Sequence, residues 1–155
     1  MPSATLPDSL EARVAVGLAA QLGEWDIVTF EPSGQYALDA VRPVYLGPND
    51  PVNAPDERVV LTPRTPIAVP TSRRSVDVPI AIGWRGPVDG DPAGAVNFLG
   101  LLRRRFVRLG RLDLDGIPVN GVRHQYSGAL PRDTGRRFGA SATYLFRCRE
   151  ATANG

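Results

Sequence analysis

The 155-residue chain predicts an α+β fold: a mostly antiparallel sheet, two main helices packed on one face, and long Pro-rich loops. Three observations predict it. Two segments carry apolar residues at helical spacing behind a capping residue. Several shorter segments alternate or run continuously apolar between turn residues, as strands do. The order is helix, strands, helix, two strands, joined mostly by connections too short for crossover helices. Apolar content of 43% suits a globular chain, and Gly 16 with Pro 15 implies many turns and irregular loops. A single domain over 1–155 is expected, with 1–7 and 150–155 as flexible ends.

In chain order, Asp8 is the expected cap of a first helix, with Glu11 as the reciprocal half of a capping box. Leu10, Val14, Leu18 and Leu22 form its apolar stripe, and Gly23 ends it. Residues 25–31 read as a short strand turned by 32–34. Residues 37–47 read as a strand interrupted by Pro43, hence an edge strand or a bulge. Residues 47–57 form a loop stiffened by Pro48, Pro51 and Pro55, and 58–63 a short buried-type strand. Residues 63–75 lack a helical period and hold several prolines. They read as an exposed extended arm, either an interaction element or a plain surface loop.

The clearest strand is 75–86, with Val76, Val78, Ile80 and Ile82 on one face and Trp84 continuing it. Residues 86–92 turn into the longest patterned stretch, 91–111. There Asp91 is the expected cap, Pro92 fits the first helical position, and Gly110 can end the helix in the left-handed conformation. Ala95, Phe98, Leu99, Leu102, Phe106 and Leu109 fall on one stripe at about 100° per residue. Arg104, Arg105 and Arg108 lie on the opposite arc, with Arg103 at its edge beside a small strip of Val96 and Val107. Such a helix fits a core contact plus a protein or nucleic-acid contact; a solvated basic face is the plainer alternative. Asp115-Gly116 and Asn120-Gly121 are turn dipeptides, 122–127 a strand and 129–137 a loop. In the final strand, 138–149, Phe138, Ala140, Ala142, Tyr144, Phe146 and Cys148 share a side.

Charge is unevenly spread. Residues 1–50 hold seven acids against two arginines, 51–100 balance at five and five, and 101–155 hold eleven arginines against four acids. This polarity suits internal pairing or contact between neighbouring copies. All eighteen cations are arginine. A GC-rich coding sequence accounts for that, yet arginine also favours bidentate contacts to carboxylate and phosphate.

The residues give little support for catalysis. One Cys excludes an internal disulfide or a cysteine zinc cluster, and one His argues against a His-based metal site or triad. No nucleotide-binding, nucleophile-elbow or zinc-protease motif occurs. Asp113 and Asp115 form a DxD that reads as a turn, His124 as a packed or surface residue, and Cys148 as a small buried side chain. No catalytic, cofactor-binding or metal residue is expected. No apolar run reaches membrane-spanning length and no basic-then-apolar leader opens the chain, so a soluble, unexported protein is expected.

Several stretches carry a family resemblance: SLEARVAVGLAAQLG, VRPVYLGPNDPVNAPDERVVLTP, SVDVPIAIGWRG, DPAGAVNFLGLLRRRF and LPRDTGRRFGASATYLFR. In their order and type of element they resemble the small tail terminator (minor capsid or tail completion) proteins of long-tailed bacteriophages. The resemblance implies a non-enzymatic virion subunit at the head–tail interface, assembled in the host cytoplasm. It would form a homo-oligomeric ring, a hexamer, that caps the tail tube, ends its growth and joins the head connector. The implied partners are other copies, the major tail tube protein and the head–tail connector or stopper protein, with non-specific DNA in the lumen and no membrane. Candidate interface residues are Arg64, Arg73, Arg74, Val96, Arg103, Arg104, Arg105, Val107, Arg108 and Arg136. Another head–tail joining or baseplate component, or a small nucleic-acid-binding accessory protein, are the alternatives.

Overall fold

The computed structural model describes residues 9–47 and 57–149. Asp8, most of the 47–57 loop and the two ends lie outside them. The described elements are α1 (Leu10–Glu24), β1 (Val44–Leu46), β2 (Arg58–Pro63), β3 (Ile67–Val69), β4 (Ser72–Val88), α2 (Gly94–Phe106), β5 (Leu112–Leu114), β6 (Ile117–Leu130) and β7 (Arg137–Arg149). The fold is α+β, with two helices and one mixed, curled sheet in the order β1-β2-β4-β7-β6-β5. All pairings are antiparallel except β1 with β2.

The 17-residue β4 is central. β2 and β3 pair with it in succession along the same edge, Pro63 opposite Ile80 and Ile67 opposite Asp77. The expected extended arm at 63–75 is therefore incorrect: it is a β-hairpin built into the sheet. Its prolines mislead, because an edge strand and its turn tolerate residues that donate no hydrogen bond. Pro79 sits inside β4 for a related reason. Its carbonyl accepts from Arg64 N–H at 2.9 Å, so its amide edge faces the gap between β2 and β3, where no ladder bond is needed.

Five other expectations are corrected. The cap of α1 is Ser9, its hydroxyl accepting from Ala12 N–H at 3.2 Å. Residues 25–31 make no strand, only the single bridge Thr29 to Pro43. Asn120-Gly121 is no turn but an irregularity within β6, where the register shifts between Val119 and Gly121. Asp91 turns the chain ahead of α2 by accepting from Ala93 N–H at 2.9 Å, so the helix starts at Gly94. The expected left-handed Gly110 is not observed, since positive-φ glycines among the described residues are Gly34 and Gly116. Asp115 (φ 52°) and Gly116 (φ 82°) do form the expected hairpin turn.

One apolar core joins every layer. It includes Val14, Leu18 and Leu22 of α1, Val78, Ile80 and Ile82 of β4, Phe98, Leu102 and Phe106 of α2, and Tyr144, Phe146 and Cys148 of β7. Aromatic rings fix α2 in place. Trp84 stacks on Phe98 at 5.9 Å, and Phe106 meets Trp25, Tyr144 and Phe146 at 5.8, 4.6 and 5.8 Å. Gly94 leaves space for the Trp84 ring, whose nearest atom would lie 2.8 Å from an added Cβ.

Candidate functional site

Because Ala95, Phe98, Leu102 and Phe106 face the core, α2 must turn the remainder of its circumference outward. That outward face carries Val96, 65% exposed, with exposed Arg103 and Arg104, and the turn just after the helix adds Val107, 71% exposed, and exposed Arg108. Among the described residues these three arginines form no ion pair. Arg105 differs, its guanidinium lying 5.6 Å from the centre of the Trp25 ring. Three arginines in the last turn suit the negative end of the helix, which accounts for part of their placement. Neither that nor any internal contact accounts for the two valines. A cleft of about 260 Å³ borders this face, lined by Arg103, Phe106, Val107, Val122, His124 and Tyr144. His124 packs edge-on to Tyr144 at 5.4 Å and shares a 3.0 Å hydrogen bond with Ser127. Burial raises the Tyr144 hydroxyl pKa, opposed by nearby Arg103.

The other candidate residues fall elsewhere. Arg64 lies between β2 and β3, and Arg73 and Arg74 are exposed on the hairpin segment of β4. Arg136, at φ 60°, belongs to the turn between β6 and β7. Its guanidinium lies 3.4 Å from Asp89, which Arg132 also reaches at 2.6 Å, so this turn is tied to the one before α2. Asp133 organises the same turn. The Arg137 N–H and the Arg85 guanidinium bond to it, at 3.0 and 2.8 Å, and hold its carboxyl below the usual range. The ten candidates thus divide into an α2 surface, a hairpin surface and a structural turn.

Two features escaped the sequence pattern. Asp77, 7% exposed, accepts from Arg147 at 2.9 and 3.1 Å and from Arg123 at 3.4 Å. Its only signal was an acid alternating with apolar residues in β4. The second is the loop 31–41, whose tip residue Leu38 is 92% exposed. Its apolar residues Ala37, Leu38, Ala40 and Val41 read as the start of a strand over 37–47, but the strand formed is only β1, Val44–Leu46.

The other chemistry-bearing groups have structural roles. Asp113 accepts from Gly116 N–H at 2.7 Å, so the DxD closes a hairpin. Among the described residues no group of three His, Cys, Asp or Glu could hold a metal. Cys148 is buried and its thiol pKa is pushed up to about 11, which keeps it protonated and unreactive at neutral pH. Among the described residues no helix is long and apolar enough to cross a membrane. No protein-family model matches the chain, and no curated protein matches it.

Proposed function

We propose that this chain is a non-enzymatic structural subunit of a phage virion, a tail terminator. It assembles as a ring, a hexamer, on the end of the tail tube, stops its growth, and presents a docking surface to the head connector. Both helices on one face of the sheet, and Pro-rich loops reaching from it, belong to this reading. One buried cluster uniting α1, α2, β4 and β7 supports the helix placement. The observation that carries the proposal is the outward face of α2. Exposed valines beside arginines that lack ion pairs among the described residues are what a contact between subunits requires. Its neighbours in the virion would be other copies, the tube protein and the connector, with DNA passing through the lumen.

The same arginines support a second reading, a small nucleic-acid-binding accessory protein. Mass photometry of the purified chain separates the two. A ring of about six subunits is expected. A monomer that shifts DNA with steep salt dependence would favour the second reading and reject the ring.

A further inference from the structure

We infer that the loop 31–41 of one copy seats in the cleft beside α2 of the next copy; this rests on the ring reading above. The loop is a built object. Gly34 N–H donates to Glu31 O at 2.9 Å, with Gly34 at φ 76°, and Ala40 N–H donates to Ala37 O at 3.1 Å. The Tyr36 hydroxyl accepts from Glu31 N–H at 3.2 Å and donates to Val44 O, while its ring packs edge-on to Tyr45 at 5.2 Å. Thr29 Oγ1 donates to Val41 O at 2.7 Å and closes the base. A loop with joined ends and its own packing is a rigid surface element. Yet it holds Leu38 and Val41 out in solvent, 92% and 60% exposed. Folding alone gives no reason to present these side chains.

Charge and shape point to the receiving surface. Asp39 follows Leu38 in the loop and Glu31 lies at its start; both are exposed, and neither forms an ion pair among the described residues. The cleft beside α2 is the complement. Phe106, Val107, Val122 and Tyr144 line it with apolar surface, its volume of about 260 Å³ admits a leucine side chain, and Arg103 stands at its rim. Arg104 and Arg108 follow on the same exposed face. An exposed leucine on an acidic loop thus matches an apolar cleft beside arginines. The loop is anchored next to β1, whereas the cleft borders β6, and β2, β4 and β7 separate these strands in the sheet. The loop and the cleft are different surfaces of the chain, so a contact between them on neighbouring copies is head to tail. Such head-to-tail contacts close into rings.

Complementary variants of the full chain test this. Leu38→Ser breaks the tip and Val107→Glu breaks the cleft; both positions are exposed, and unchanged circular dichroism confirms that each variant folds. Self-association of either variant alone should weaken at least about tenfold, as for loss of a central contact residue. Mixed together, they retain one intact tip and one intact cleft, so a dimer that grows no further is expected by mass photometry. A paired exchange, Asp39→Arg with Arg103→Asp, should recover part of the assembly that either change alone removes. Rings of wild-type mass from both Leu38→Ser and Val107→Glu would overturn the seat while leaving the ring reading intact. A monomeric wild-type chain would overturn both.

Discussion

Gly17 marks a close approach of α1 to β5. A Cβ there would lie 2.8 Å from the backbone carbon of Leu114 and 3.0 Å from its oxygen. Backbone cannot rotate away as a side chain can, so Gly17→Ala must push α1 off β5. Alanine gains roughly 1 kcal/mol of helix propensity, but overpacking costs about 1–3 kcal/mol. A net loss is expected, read as a lower urea midpoint. Cys148 gives a second residue-scale prediction. Burial raises its thiol pKa from 9.0 to about 11, so the folded chain keeps a proton that the unfolded chain releases. Stability is full below about pH 9 and falls as pH rises toward 11, by about 1.4 kcal/mol per pH unit for this one group. The raised Tyr36, Tyr45 and Tyr144 add to the same alkaline trend. Urea titrations between pH 8 and 11 should show a shallower decline for Cys148→Ala than for the wild type. Equal slopes would contradict the assignment.

At the element scale, legibility follows how local the determining physics is. β2 and β7 match the sequence reading almost residue for residue, because alternation or a continuous apolar run decides which face is buried. The apolar stripe of α2 and its exposed arginines were equally legible. The β3–β4 hairpin was not. Its pairing is local, Val69 opposite Ser72, but Pro63, Pro66 and Pro70 conceal the strand pattern on either side of the turn. Asn120-Gly121 misled in the opposite sense, since β7 pairs across it and absorbs the irregularity as a register shift. Asp115-Gly116 worked because its left-handed conformation is intrinsic to those two residues. Replacing Gly116 by Val should therefore cost about 1–2 kcal/mol, measured by thermal or urea unfolding. Of the candidate residues, Val96, Arg103, Arg104, Val107 and Arg108 are exposed, as the periodicity implies. Arg136 ties its turn to Asp89, a partner that only the fold brings beside it.

At the scale of the whole molecule, the charge asymmetry along the chain becomes a surface property. Exposed acids of the 31–41 loop and exposed arginines of α2 lie on different parts of one curled sheet. A subunit with two unlike, complementary surfaces assembles head to tail, and that assembly weakens with salt. Reversing Arg104 and Arg108 together should shift self-association to higher protein concentration while lowering the unfolding midpoint only slightly, since both are exposed and acids at the end of α2 cost about 1 kcal/mol or less. The most direct measurement is the mass distribution of the wild-type chain at micromolar concentration and low salt, repeated at high salt. A closed species of about six subunits that dissociates as salt rises is the expected result. A single monomer peak under both conditions would contradict it.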